Sequence, residues 1–232
     1  MELERVVSAA GELLLGSACH GCSEPWWGIC PRCRAAVLSH GCFVTRPDPC
    51  PAGFPFTVST APYDAILRQL VSAHKERGAL SLTAFLAGRL AAAVEAVLQS
   101  TASQAHAVVL VPVPSARAAV RDRGFDATWA LARRAAGMLR RQSAVRARRL
   151  LRQARPIRDQ AGLSADQRAT NLQNAFRVAP AVPSQMVIVV DDVVTTGSSL
   201  TEAARALREG GHRVFGAATV AATQRDRPVA QI

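Results

Sequence analysis

The chain is poor in lysine and in aromatic rings: one Lys against 27 Arg, one Tyr, and 5% Phe, Trp and Tyr together in 232 residues. A stacking platform for single-stranded nucleic acid needs several rings along a basic groove. The most basic stretch offers only Phe125 and Trp129, which disfavours a dedicated platform. Internal repeats are also missing, as are low-complexity tracts beyond alanine richness. No apolar run reaches the roughly 18 residues of a bilayer span, and Val6–Ala18 is broken by Ser8, Gly11, Glu12 and Gly16. The opening MELER is net acidic, unlike a secretory leader, and Gly16-Ser17-Ala18 makes a poor lipoprotein cleavage site before Cys19. A cytoplasmic address without membrane insertion is the expectation.

What is present suffices for one good core and a small appendage, since 49% of the residues are hydrophobic. The formal charge of +11 is concentrated: Ser115–Arg168 holds fourteen Arg against four Asp. Such a block suits an anionic partner, either phosphate groups on a small ligand or a nucleic-acid backbone. Solvated helix faces in an arginine-rich chain are the bland alternative.

Cys19–Cys50 is rich in Cys, Pro, Gly and His and reads as a small metal-stapled module ending near Phe56, so residues 1–56 and 57–232 are the expected units. Helices are predicted over Ser81–Leu98, with Ser81 as N-cap, over Thr128–Arg141, and over Ser199–Arg208, closed by Gly210-Gly211. Strands are predicted over Ala107–Val111, Val145–Leu151, Phe176–Val178, Met186–Val190 and Val214–Ala221, with Arg152–Asn174 as a long excursion. Strands alternating with helices predict an α/β fold, its mostly parallel sheet covered on both faces.

The chemistry concentrates in VIVVDDVVTTGSSL, Val187–Leu200. Four apolar β-formers deliver Asp191 and Asp192 to the C-terminal edge of the sheet, where open α/β folds bind ligands. Thr195, Thr196, Gly197, Ser198 and Ser199 then lead into a helix. Hydroxyls, backbone N–H groups and a helix N-terminus suit a phosphate. The carboxylates suit vicinal sugar hydroxyls and attract Mg²⁺. A ribose 5-phosphate satisfies both halves. Cys19-x₂-Cys22-x₇-Cys30-x₂-Cys33 has the spacing of a tetrahedral thiolate site, pointing to structural Zn²⁺, with an iron–sulfur site or free thiols as alternatives. Trp26 and Trp27 are expected to pack against it.

Val187–Ser199 resembles the thirteen-residue binding signature of the type I phosphoribosyltransferases at every position. The likeness extends to the ComF-type branch, associated with DNA uptake and competence, through the cysteine ribbon, Tyr63-Asp64, His74-Lys75-Glu76-Arg77-Gly78, Leu110–Pro114, Arg121–Phe125, and Gln160 with Arg168 and Asn171 before Ala175-Phe176. The resemblance implies a type I phosphoribosyltransferase fold that binds 5-phosphoribosyl-1-pyrophosphate with Mg²⁺. Pro112, Val113, Pro114 and Ser115 would receive pyrophosphate, with Arg117 and Arg123 nearby. Asp191 and Asp192 would hold the ribose, Thr195–Ser199 the 5-phosphate, and Lys75 a phosphate. Arg152–Asn174, with Arg155, Arg158, Gln160 and Arg168, would be a mobile loop closing over the reacting carbon. Each arginine, and Lys75, has the plain alternative of a solvated side chain.

Two departures stand out. Asp126-Ala127 replaces the family's usual Asn-Gln, and of a second ribbon site only Cys42 and Cys50 remain, leaving it incomplete unless His40 or another residue joins. The expected activity is transfer of the phosphoribosyl group with release of pyrophosphate, linked to DNA uptake, with Asp191, Asp192, Lys75 and Arg123 carrying the chemistry. The alternative is an accessory protein that senses the ligand or binds single-stranded DNA without turnover. Single-stranded DNA and DNA-processing proteins are the expected macromolecular partners.

Overall fold

The computed structural model of the chain describes residues 17–100, 107–140, 144–157, 165–179 and 183–223. Strands β1 (Phe43–Val44), β2 (Thr57–Ser59), β3 (Val108–Pro112), β4 (Val145–Ala147), β7 (Met186–Val194) and β8 (Arg213–Ala222) form one sheet in the order β1-β2-β8-β7-β3-β4. Every pairing in it is parallel except β1 with β2. Strands β5 (Leu151–Gln153) and β6 (Phe176–Val178) make a separate antiparallel pair.

Helices α1 (Pro31–Leu38), α2 (Ala65–Glu76), α3 (Thr83–Ser100), α4 (Arg117–Arg123), α5 (Ala127–Leu139), α6 (Ala165–Leu172) and α7 (Ser198–Glu209) complete the described structure, with one 3₁₀ turn at Leu80–Leu82. The strands are apolar on both sides because both faces are covered. Leu110, Ile188, Val190, Ala218 and Val220 join α2, α3 and α5 in one core. Val109, Val111, Val187, Val189 and Ala217 join α7 and the β5–β6 pair in the other. The predicted mostly parallel α/β architecture is therefore present.

Several boundaries differ from the sequence reading. Ser81 lies inside the 3₁₀ turn, and α3 begins at Thr83. Val145–Leu151 is not one strand: the chain leaves the main sheet after Ala147 and re-forms as β5 against β6. The excursion after Arg152 contains α6, whereas Arg158 and Gln160 lie outside the described residues. Leu80–Ser100 corrects the expectation about apolar length, since it is long and apolar enough to cross a bilayer, with a mean hydropathy of 1.5. Here it is a core helix. Phe85, Leu86, Leu90, Val94 and Val97 are buried, and Arg89 reaches back to donate to the carbonyls of His40 (2.7 Å) and Thr60.

Register sets up the site. Pro112 at the end of β3 lies opposite Val190 of β7, the residue before the acidic pair. The loop after β3 and the carboxylates therefore leave the sheet at one edge.

Candidate functional site

Strand β7 runs on to Val194 because β8 continues to pair with it, Val193 against Ala221 and Val194 against Ala222. The acidic pair thus sits within the strand's last turns of pleat rather than beyond it. Asp192 is 4% exposed and Asp191 half-buried. One oxygen of Asp191 accepts the N–H of Asp192 (2.9 Å), and Asp192 accepts the N–H of Val193 (2.8 Å).

Across the edge, α2 brings Lys75, whose ammonium lies 2.8 Å from Asp192. Asp64 starts that helix by accepting the Leu67 N–H (2.8 Å). Near its end, buried His74 is held by Thr83 (3.0 Å) and by the edge of Phe125, 5.6 Å between centroids. Burial and the adjacent charge of Asp192 push the Asp191 carboxyl well above the usual carboxylate range. Burial is the largest influence on Asp192 and pushes it upward, but the Lys75 ammonium together with hydrogen bonds from Asp191 and the Val193 N–H hold it below that range. In return Asp192 holds Lys75 firmly charged, raising its pKa against burial. Burial lowers His74.

The hydroxyl-rich bend follows at once. Thr195 is exposed, Thr196 and Ser199 are half-buried, and the Thr196 and Ser198 hydroxyls lie 3.1 Å apart. Gly197 precedes α7 with φ +76°, a conformation that L side chains rarely adopt. A Cβ there would also lie 2.7 Å from both the Phe54 ring and Pro47. The β1–β2 connection is thus a strap laid over the start of α7, pinned further by Arg208, which donates to the Gly53 carbonyl (3.1 Å). It covers Gly197 and leaves Thr195 open.

Beside this edge lies a cleft of about 430 Å³ walled by Pro112–Ser115, Arg117, Val120, Arg121 and Asp126, and by Arg149 with Leu151–Gln153. Arg123, predicted to join this group, instead donates to Glu76 (2.9 Å) and is not part of the cleft wall. Asp126 caps α5 by accepting the Trp129 N–H (3.1 Å), and it also accepts the Ser115 hydroxyl (3.0 Å) and Arg149 (3.3 Å).

The four cysteine sulfurs lie within 4.8 Å of one another. Tetrahedral thiolates about 2.3 Å from a zinc ion are about 3.8 Å apart, and Cys22 and Cys30 are separated by 3.7 Å. Backbone N–H groups of Gly21 and Cys30 point at the Cys19 sulfur (3.4 and 3.3 Å), and that of Cys33 at Cys30 (3.4 Å). Burial opposes ionisation of Cys19, but these N–H groups outweigh it and bring its pKa down to about 7. The donor set fits a metal such as zinc. A Cβ on Gly21 would lie 2.9 Å from the Cys33 sulfur and 3.3 Å from Ile66 of α2, so the cluster packs directly on the helix that carries Lys75. Trp26 packs on the core cluster that includes Cys19, Cys30 and Cys33, whereas Trp27, expected to pack against the cysteines as well, is 54% exposed. Among the described residues no cluster gathers Cys42, Cys50 and His40; Cys42 donates to the Ala92 carbonyl instead (3.6 Å).

Comparison with known proteins agrees with this geometry. Residues 140–231 match the phosphoribosyl transferase domain family. The DNA utilization protein YhgH of Salmonella typhimurium is 32% identical over 200 residues, covering 80% of this chain and 86% of the relative. The chain belongs to the ComF-type phosphoribosyltransferase family. Competence protein F of Haemophilus influenzae is 49% identical over 55 residues, 22% of this chain and 24% of the relative. A solved orotate phosphoribosyltransferase from Aeropyrum pernix aligns over 82% of this chain and 78% of its own at 20% identity and TM-score 0.35.

Within this ComF-type chain the structure gathers Asp191, Asp192 and Lys75 in one group and Pro112–Ser115 with Arg117 in the adjoining cleft. Arg155 is spent elsewhere, donating to the carbonyls of Asn171 (3.0 Å) and Gln173 (2.7 Å) around the end of α6. Sequence reasoning missed Arg149 and Arg152 as cleft residues, Asp126 as their acidic neighbour, and Phe54 over the bend. The arginine-rich block was the available signal for the first two; nothing local marks the others.

Proposed function

We propose that this chain binds 5-phosphoribosyl-1-pyrophosphate with Mg²⁺ and transfers the phosphoribosyl group to an acceptor nitrogen, releasing pyrophosphate. The observation that carries the reading is the convergence of acidic pair, hydroxyl-rich bend and Pro112–Ser115 loop at one sheet edge. In this reading Asp191 and Asp192 bind the ribose hydroxyls, and Thr195–Ser199 bind the 5-phosphate with hydroxyls and the N–H groups that open α7. Pro112–Ser115, with Arg117, receives the pyrophosphate. Lys75 keeps Asp192 ionised beside Asp191, so the pair presents carboxylate oxygens that accept hydrogen bonds from a diol.

Mg²⁺, when bound, neutralises charge on the pyrophosphate oxygens, and the oxygen-only donor set of the acidic pair fits it. As the C1–O bond breaks, its electron pair leaves with pyrophosphate; the acceptor nitrogen bonds C1 and gives up a proton to solvent. The chain contributes position and charge complementarity to an oxocarbenium-like state. The cysteine site is read as a structural zinc staple in an N-terminal unit, residues 1–56, and the protein as cytoplasmic.

A second reading is supported by the names of the relatives, DNA utilization and competence proteins, together with the arginine excess. It makes the chain an accessory protein that keeps the ribose site without turnover or binds single-stranded DNA. Calorimetry with phosphoribosyl pyrophosphate and Mg²⁺ tests the first reading: Asp191→Asn/Asp192→Asn should abolish binding, and equal binding by both proteins refutes the site. Pyrophosphate release across a panel of nucleobases separates enzyme from sensor. DNA binding that falls with salt yet survives the double substitution would favour the second reading.

A further inference from the structure

The cleft beside the acidic pair has more positive charge than the Pro112–Ser115 loop alone would give it, and one of its arginines is held in an unusual way. Arg149 lies with its guanidinium carbon 4.5 Å above the Trp129 ring centroid and one nitrogen 3.3 Å from Asp126. The same carboxylate accepts the Ser115 hydroxyl and the α5 N-cap hydrogen bond from Trp129 at shorter distances, 3.0 and 3.1 Å. Asp126 therefore fixes the loop and the arginine to one point. Its link to Arg149 is the longest of the three, and the Arg149 side chain is 54% exposed, so that link is the weak one. An incoming anion can take Arg149 from Asp126 at small cost while the indole face keeps the guanidinium over the cleft. A planar guanidinium then offers two parallel N–H groups to phosphate oxygens. Arg123 has the opposite setting: its side chain is 11% exposed and engaged by Glu76 outside the cleft wall.

Resting on the phosphoribosyl pyrophosphate reading, we propose that Arg149, kept ready by Asp126 and Trp129, is a cation that meets the pyrophosphate group at the Pro112–Ser115 loop alongside Arg117, and that Arg123 is a tie between α4 and α2. Arg149 touches the ligand; Asp126 and Trp129 are positioning residues.

The test uses the full chain and two separate probes, inorganic pyrophosphate and ribose 5-phosphate, by titration calorimetry. Arg149→Gln should weaken pyrophosphate binding about tenfold or more, equivalent to about 1.4 kcal/mol, and leave ribose 5-phosphate within about twofold. Arg123→Gln should leave pyrophosphate within the same margin. Asp126→Asn keeps an oxygen for the cap and for Ser115 but gives Arg149 no charge. It should weaken pyrophosphate in the native background and add nothing on top of Arg149→Gln, a non-additivity that a merely structural role would not produce. Undiminished pyrophosphate binding by Arg149→Gln, an equal loss in Arg123→Gln, or additive effects of Asp126→Asn and Arg149→Gln would each overturn the proposal. If ribose 5-phosphate still binds through Asp191 and Asp192 in that event, only the assignment of Arg149 falls; if the unmodified chain binds neither probe, the reading beneath it falls as well.

Discussion

Replacing Lys75 by Met keeps an unbranched apolar stem at the end of α2 and removes the charge 2.8 Å from Asp192. Breaking a fully buried ion pair costs about 3–5 kcal/mol. The Lys75 side chain is 38% exposed, so solvent takes over part of its role and about 1–3 kcal/mol is the expected loss. The loss depends on pH in a definite direction. Asp192 is held below its unfolded value by Lys75, so its contribution is present above about pH 4 and fades on acidification through its folded pKa. Without Lys75, burial pushes Asp192 upward instead, and a raised carboxyl loses stability as pH rises through its folded value. The stability gap between the native chain and Lys75→Met should thus be small near pH 4 and widen toward pH 8, by at most about 1.4 kcal/mol per pH unit for one proton. Urea denaturation at a series of pH values reads this gap as a shift in midpoint. A gap that stays constant with pH, or a substitution neutral within about 0.5 kcal/mol at pH 8, would refute the claim that Lys75 serves to keep Asp192 ionised.

Gly197→Ala combines the cost of a positive φ with a Cβ 2.7 Å from Phe54 and Pro47, so a loss of about 2–4 kcal/mol is expected in denaturant titrations, partly relieved when Phe54→Ala is added. Additive losses would show that the strap does not press on the bend. Cys33→Ser, or prolonged treatment with a strong chelator, should cost about 3 kcal/mol or more and raise amide exchange in α2, because the cluster lies against Ile66. Unchanged α2 exchange after metal removal would disprove that coupling. Asp126→Ala removes a helix cap as well as an ion pair and should destabilise by about 1 kcal/mol more than Asp126→Asn, measured by thermal melting.

The acidic pair, the threonine–serine bend and the cysteine knuckles were legible because each is a contiguous segment whose chemistry depends on near neighbours in sequence. The sheet was legible for a similar reason: its strands are apolar on both sides, with Val109, Val111, Val187 and Val189 on one face and Leu110, Ile188 and Val190 on the other. What escaped depends on contacts between distant segments. That Lys75 serves Asp192, that Arg123 serves Glu76, and that Phe54 lies on Gly197 follow from packing across the sheet edge, for which a single sequence has no marker. The replacement of Asn-Gln by Asp126-Ala127 looked like a lost polar position; it is a cap and a hub, visible only once Ser115 and Arg149 are placed beside it. The split of Val145–Leu151 into β4 and β5 was hidden because both halves have the composition of strands, and only the partner sheet differs.

Strand β1 is two residues long, yet it occupies the open side of β2. A shortened version of this chain starting at Thr57 would leave that hydrogen-bonding rim bare, and bare rims recruit neighbouring chains. Anyone trimming the protein for crystallisation or assay should expect oligomers from a cut there, and should retain Phe43 and Val44 whatever is done with the cysteines before them.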